Sequence, residues 1–275
     1  MITATTNPRV KQVIQWQSKS KERHRAQVFV VEGTKMYLEA PDNLIREVYV
    51  SAGLAEKLVC QDVDRPDDFG RQQILIRLAD KLARTGYETV SDEVLAKMSD
   101  TQTPQGILAV LQQPEYNLDK LLQQPNPLFV VLDNLQDPGN LGTILRTGEG
   151  AGVTGVIISE DSVDIFNPKV IRATMGSIYR VPFLYEKNLL QTLERLHAAG
   201  VKTYAAHLQG RTYYDSFSFQ EPVAFLIGNE GNGLSAELAG AASSYLKIPM
   251  EGQLESLNAA VAAALLMYEA HRQRA

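Results

Sequence analysis

Three short segments of this 275-residue chain set glycines beside polar side chains: NLGTILR at 140–146, LIGNEGNGL at 226–234 and IPMEGQLESLNAA at 248–260. Asn140, Arg146, Asn229, Glu230, Ser256 and Asn258 are residue types that packing alone does not require at these places. Each segment accompanies a strand-like apolar run, so the three point to a ligand site built from loops at one edge of a sheet. Metal chemistry has no matching signature. The one cysteine, Cys60, cannot form an intramolecular disulfide, His24, His197, His207 and His271 are scattered outside the motifs, and no Cys/His cluster has zinc spacing.

The elements that must position these loops alternate regularly after about residue 128. LFVVLD, VTGVIIS, VKTYAA, VAFLIG and YLKIP read as strands, separated by helices over about 140–151, through PKVIRATMG and through LLQTLERLHAAG. Near-continuous apolar runs of this length are what a parallel sheet shows when helices cover both faces, so the fold class is α/β. A last helix is expected over about 256–271. It is apolar on nearly every side until its charged end, which makes it either fully buried or shared between subunits. GAGVTG, with Gly150, Gly152 and Gly155, matches a dinucleotide-binding pattern only superficially. Its glycines close a helix and lead into a strand, which is the order of a helix C-cap and turn and not that of a phosphate site.

Residues 26–110 have a more mixed texture, including VFVVEG, TKMYLEA, REVYVS, AEKLVC, SDEVLAKMSD and GILAVL, and read as a smaller α/β domain. QQPEYNLDKLLQQPNP, with Pro114, Pro125 and Pro127, is the linker candidate, LDKLL within it forming at most a short helix. The boundary is expected near 112, giving domains 1–112 and 113–275. Net charge is −5, which argues against indiscriminate nucleic-acid binding. The deficit lies in residues 106–275, with 12 Lys+Arg against 17 Asp+Glu, while residues 1–105 hold 15 of each. Arg9, Lys11, Lys19, Lys21, Arg23 and Arg25 crowd one stretch in which Glu22 is the only acid. Either the stretch meets phosphates or it is a solvated amphipathic helix with Val10, Val13, Ile14 and Gln17 inside.

Composition bounds the rest. With 44% hydrophobic and 21% charged residues the chain is an ordinary folded, soluble protein. MITATTNPRVKQ lacks the apolar stretch of a signal peptide, and the longest apolar run, 259–268, is too short to span a bilayer. A reducing cytoplasm and no membrane partner are expected.

Taken together, the three segments resemble the signature of the SpoU/TrmH branch of the SPOUT RNA methyltransferases. Asn140, Gly142 and Arg146 match the first motif, Gly228, Asn229, Glu230, Gly231 and Gly233 the second, and Ser256, Leu257 and Asn258 the third. The resemblance extends into the first region, where NPRVK at 7–11, the basic stretch, FVVEG at 29–33 and TPQGILAV at 103–110 follow the order of the family's RNA-binding domain. It departs in the third motif, where SLNAAVAAA lacks the β-branched or small polar residue and the glycine of many members.

The resemblance implies a C-terminal domain with a deep trefoil knot, a rare exception to ordinary connection rules. It implies S-adenosylmethionine as methyl donor, bound bent in the knot by backbone groups of the three segments, with transfer to a ribose 2′-hydroxyl of RNA. Gly228, Gly231 and Gly233 would then supply positive φ and close backbone approach, and Leu226, Ile227, Ile248 and Leu257 would wall the adenine pocket. Arg146 is the expected catalytic residue. A guanidinium stays protonated, so gripping an RNA phosphate suits it better than acting as base, and the base is left open; its bland alternative is a helix-end salt bridge. Asn140 would hold Arg146 or touch substrate, Glu230 would anchor the site, and Ser256 and Asn258 would bond nucleotide or donor, with Ser256 also suited to cap the last helix. Arg172 matches a polar position near the donor. The family reading also implies a homodimer through the C-terminal domain, no metal, and ribosomal RNA in preference to tRNA. The alternatives are a tRNA 2′-O-methyltransferase and a non-catalytic RNA-binding protein of the same fold.

Overall fold

The computed structural model describes residues 1–60, 69–253 and 256–275, and it divides the chain into two compact units. Leu254 and Glu255 of the third segment lie outside the described residues. One unit comprises Met1–Pro114 with Phe166–Arg172, the other Glu115–Ile165 with Ala173–Ala275.

The first unit is built on β1 (Val28–Glu32), β2 (Ile45–Ser51), β3 (Glu88–Val90) and β4 (Ile107–Gln112), in the order β1-β4-β2-β3. β4 runs antiparallel to β1 and β2, and β3 runs parallel to β2. Val10, Val13 and Trp16 of helix Pro8–Ser18 cover one sheet face, packing with Val28, Val30, Tyr49, Leu108 and Val110. Asn7 caps that helix by accepting from the Arg9 N–H, and Pro8 occupies the first turn, where a missing N–H costs nothing. A further helix, Phe69–Thr85, lies where no element is expected from the sequence pattern.

The basic stretch is not one helix. It breaks at Lys19, which is extended, and resumes as Ser20–Ala26. Arg23, expected on the RNA side, lies just past this break and is only 3% exposed. Its Nη1 donates to the carbonyls of Trp16 at 2.7 Å and Gln17 at 3.0 Å, satisfying the C-terminal end of the first helix. A guanidinium committed to two buried carbonyls cannot also grip phosphate. Arg23→Met is expected to lower stability by about 2 kcal/mol, since bonds from a charged donor are each worth roughly 1.5–3 kcal/mol; urea unfolding measures this, and an unchanged midpoint would refute the capping role.

The second unit holds β5 (Leu128–Leu132), β6 (Gly155–Ser159), β7 (Phe183–Glu186), β8 (Lys202–Ala206), β9 (Val223–Ile227) and β10 (Ser244–Leu246), in the order β10-β8-β9-β5-β6-β7. Every neighbouring pair is parallel. All residues of β5, β6 and β9 are buried, the reason their sequences show no polar alternation. Phe129, Val131, Ile157, Ala224 and Leu226 face Leu189, Leu193 and Leu196 of helix Leu189–Ala198. The linker candidate is part of this core: helix Leu118–Leu122 buries Leu118 and Leu121, one turn apart, in the same cluster. On the opposite side, helix Ala259–Arg274 packs against β9 and helix Pro138–Ala151.

Gly152 ends helix Pro138–Ala151 in the left-handed conformation at φ 74° and donates to the Glu149 and Gly148 carbonyls, the turn expected of GAGVTG. The last helix starts at Ala259, three residues later than expected, because Asn258 caps it and Ser256 does not. It is neither wholly buried nor wholly polar outside. Ala263, Leu266, Met267 and Ala270 are buried, while Val261, Leu265 and Tyr268, at i, i+4 and i+7, form an exposed apolar stripe. Arg274 fixes its end by donating to the carbonyls of Phe219, Asn126 and Glu221 at 2.6–2.9 Å.

Candidate active site

Because all six strands run the same way, the loops leaving β10, β8, β9 and β5 emerge side by side at one sheet edge. They carry the three glycine-polar segments and one stretch that the motifs do not include, His207–Gly210 after β8.

Hydrogen bonds join the three segments in sequence. The Glu230 carboxylate accepts from the Gln136 N–H at 3.0 Å, the Asp137 N–H at 2.9 Å and the Asn140 side-chain amide at 2.9 Å. Asn140 Oδ1 in turn accepts from Asn258 Nδ2 at 2.9 Å. Asn258 Oδ1 accepts from the Ala260 and Val261 N–H groups, which are orphan donors at the start of the last helix. Asp137 caps the helix that carries Asn140, accepting from its N–H at 2.8 Å. One relay, Glu230–Asn140–Asn258, therefore ties two helix N-termini to the loop after β9. Burial opposes the charged form of Glu230, but bonds from Asn140 and from the Asp137 and Gln136 backbone outweigh it and hold the carboxyl below its usual value of 4.5.

The loop after β9 is closed on itself. Asn229 and Gly233 exchange backbone bonds at 3.0 and 2.9 Å, and Asn229 Oδ1 accepts from the Gly231 and Asn232 N–H groups. Asn229 Nδ2 donates to the Asn134 carbonyl, so this side chain shapes the loop. The glycines differ in what they do. Only Gly233 of the three has positive φ, at 70°. A Cβ on Gly228 would stand 2.1 Å from the Gly233 carbonyl carbon and the Leu234 nitrogen, so the need for glycine there comes from its own loop, while at Gly231 the nearest atom would be an ordinary 3.5 Å away. Gly228→Ala is expected to destabilise the second unit by about 3 kcal/mol or more and Gly231→Ala by less than about 0.5 kcal/mol. Scanning calorimetry tests the pair, and equal effects would contradict this assignment.

The loops enclose a cavity of about 380 Å³, lined by Ile227, Gly228, Asn229, Glu230, Gly231, Gly233, Ile248, Ser256 and Leu257 among the expected residues. Leu226 does not line it. Its side chain belongs to the opposite face, in the core against helix Leu189–Ala198, because consecutive strand residues point to opposite sides. Among the described residues the Ser256 hydroxyl has no hydrogen-bond partner and lies free at the wall. Residues missed by the sequence reading complete the lining, including His207, Leu208 and Gln209 after β8 and Lys247 and Met250 after β10. Gly210 was the available signal: a Cβ there would meet the Leu246 backbone at 2.9 Å.

Arg146 stands apart from the cavity lining. It is exposed and has neither ion pair nor side-chain hydrogen bond among the described residues, which removes the salt-bridge reading. Asn140 does not hold it. Six residues along a helix carry a side chain about 9 Å up the axis and about 120° around it, and the Asn140 amide faces Glu230 and Asn258.

In the first unit the expected cations divide. Arg9 bridges Glu47 and Glu88 at 3.4 and 3.3 Å, Arg25 pairs with Glu22 at 2.8 Å, and Arg172 pairs with Asp100 at 2.6 Å. Lys11, Lys19 and Lys21 are exposed and unpaired among the described residues.

Comparison with known proteins fits this geometry. The family described as SpoU rRNA Methylase matches residues 127–268, and the MRM3-like substrate binding domain matches 7–109. The chain is 34% identical over 251 residues, 90% of each chain, to the 23S rRNA (guanosine(2553)-2′-O)-methyltransferase RlmP of Bacillus subtilis. Among solved structures, the AdoMet-bound rRNA methyltransferase from Sinorhizobium meliloti superposes with a TM-score of 0.82 at 31% identity, covering 98% of this chain and 97% of that one. The SpoU methyltransferase AviRb from Streptomyces viridochromogenes, in complex with AdoMet, gives 0.79 at 26% identity over 98% of both chains. On motif, geometry and similarity alike, this chain belongs to the SpoU rRNA methylase family.

Proposed function

We propose that the protein transfers the methyl group of S-adenosylmethionine to a ribose 2′-hydroxyl of RNA, with 23S rRNA as substrate. The observation that carries this reading is the Glu230–Asn140–Asn258 relay, which fixes all three motif loops around one cavity. The cavity suits the donor: its volume lies within the roughly 300–1,000 Å³ of small-molecule sites, and Ile227, Ile248 and Leu257 give an apolar wall for an adenine. Glu230, held in its charged form, sits at the wall and suits a cationic ligand.

The donor supplies an electrophilic sulfonium methyl, so the protein's task is alignment and the removal of a proton from a weakly acidic hydroxyl. Arg146 is the residue we assign to the RNA phosphate, holding the nucleotide in line, since a permanently protonated guanidinium is a poor base. Ser256, whose hydroxyl has no partner among the described residues, is assigned to nucleotide or donor. Asn140, Asn258 and Glu230 position the loops. Of the basic stretch, Lys11, Lys19 and Lys21 are assigned to RNA, and residues 1–112 serve as its substrate-binding domain, with 113–275 as the methyltransferase domain. Similarity to the family supports a trefoil knot in that second domain and a cytoplasmic location.

A homodimer is part of this reading, with the Val261, Leu265 and Tyr268 stripe as its contact. Light scattering at micromolar concentration is expected to give twice the 30.4 kDa chain mass, and Leu265→Glu to give the monomer. A wild-type monomer would sink this part.

The activity test is transfer of labelled methyl from S-adenosylmethionine to separated ribosomal and transfer RNA from cells lacking the gene, followed by mapping of the modified ribose. Label at a single 23S rRNA ribose is the expected result. Label in tRNA alone would reassign the substrate, and donor binding without transfer to either would favour a binding protein.

A further inference from the structure

The loop between β8 and β9 has features that the three motifs do not account for. Arg211 and Tyr213 are exposed, Tyr213 by 51%. Neither the Arg211 guanidinium nor the Lys247 ammonium has an ion pair or hydrogen bond among the described residues. Yet the backbone beneath them is firmly held. Lys247 N–H donates to the Thr212 carbonyl and Tyr214 N–H to the Lys247 carbonyl, both at 3.0 Å, so that Tyr213 and Lys247 are bridged as neighbouring strand residues. Upstream, Gly210 is pressed against Leu246, and His207 N–H donates to the Leu246 carbonyl at 3.0 Å. Downstream, Gln273 accepts from the Phe219 N–H and donates to the Phe217 carbonyl.

An exposed aromatic ring on a tethered backbone loses little entropy when it is covered, and two unpaired cations close to it in a chain of net charge −5 are not explained by solubility. Lys247, Leu208 and Gln209 also line the donor cavity, so Arg211 and Tyr213 adjoin it through the chain and through the Tyr213–Lys247 bridge. A single-stranded nucleotide offers the matching chemistry: a base face for the ring and a phosphate for the cations. We propose that Arg211, Tyr213 and Lys247 bind an RNA nucleotide flanking the methylated one, Tyr213 by stacking and the two cations by phosphate contact. This inference rests on the RNA methyltransferase reading and adds a substrate contact within the second unit.

The test is filter binding of 23S rRNA, purified from cells lacking the gene, to wild-type protein and variants over a series of salt concentrations, beside calorimetric titration with S-adenosylmethionine. Tyr213→Ala is expected to weaken RNA binding about tenfold, and Tyr213→Phe, which keeps the ring face, to restore it. Arg211→Ala is expected to reduce the slope of log affinity against log salt by about one. Donor affinity and melting temperature should stay at wild-type values in all three, because neither side chain has a partner to lose among the described residues. Wild-type RNA affinity and salt slope in both alanine variants would overturn the inference. Absence of methyl transfer by the wild type would instead strike the activity reading, while the binding comparison would still decide the role of this loop.

Discussion

Arg146→Ala is expected to slow methyl transfer by about 10²–10³-fold while leaving S-adenosylmethionine affinity within twofold of wild type. The range is that of deleting one preorganised charged group from a transition state, roughly 3–4 kcal/mol. The asymmetry follows from position. Arg146 is exposed, unpaired among the described residues and absent from the cavity lining, so its removal takes nothing from the donor site and leaves no buried group unsatisfied. The melting temperature should therefore not move. Arg146→Lys separates the possible roles: a phosphate grip keeps part of its effect with an ammonium, though without the two-pronged geometry, and recovers more than the alanine variant. Single-turnover rates with saturating RNA and calorimetric titration of the donor measure the two quantities independently. A loss of donor affinity equal to the loss of rate would place Arg146 on the donor and contradict the RNA-side assignment.

Why the motifs were legible while much of their geometry was not comes down to what a local pattern can encode. Buried parallel strands leave continuous apolar runs, so β5, β6 and β9 stand out, and the loops after β5 and β9 follow directly. The same continuity hides which face each residue takes. LeuIle at 226–227 carries no polar neighbour to set the phase, and only the fold shows that Leu226 enters the core while Ile227 meets the cavity. His207–Gly210 was missed because β8 reaches the site through strand order, lying between β10 and β9 although the chain visits β8, β9 and β10 in turn. Arg23 illustrates another limit. Its charge reads as a phosphate contact, and what decides its role is two carbonyls six and seven residues earlier, made adjacent by the helix break at Lys19. Ser256 and Asn258 are both good caps by residue type. The choice of Asn258 is tertiary, since its amide caps with Oδ1 and donates from a separate atom, Nδ2, to Asn140, two directions that a serine's single oxygen would have to serve from one point.

That dual bonding makes the relay the second place where a small change should have a large effect. Glu230→Gln keeps the side-chain shape but replaces one acceptor oxygen with a donor. The carboxylate receives Gln136 N–H on one oxygen and Asp137 N–H and Asn140 Nδ2 on the other, so either orientation of the glutamine amide sets its NH₂ against an existing donor. Losing a bond to a charged acceptor costs about 1.5–3 kcal/mol, which should lower the melting temperature of the second unit by roughly 3–10 °C. Donor affinity should fall about 10–100-fold, because the loop 228–233 forms one wall of the cavity and this carboxylate ties it to the first segment and, through Asn140, to the third. The pH dependence distinguishes an anchor from a bystander. The folded-state pKa of Glu230 lies below its usual 4.5, so its contribution is fully present above that value and disappears as pH falls through the depressed one. Wild type and Glu230→Gln should therefore differ most near neutral pH and converge in melting temperature as the medium is acidified through that depressed value, below which the wild-type group is itself a neutral carboxyl. Asn140→Ala should break the relay at its centre, and the double variant with Glu230→Gln should lose less than the two single losses added, because both remove the same bond. A constant gap across the pH range, or strict additivity, would show that Glu230 does not hold the three loops through its charge.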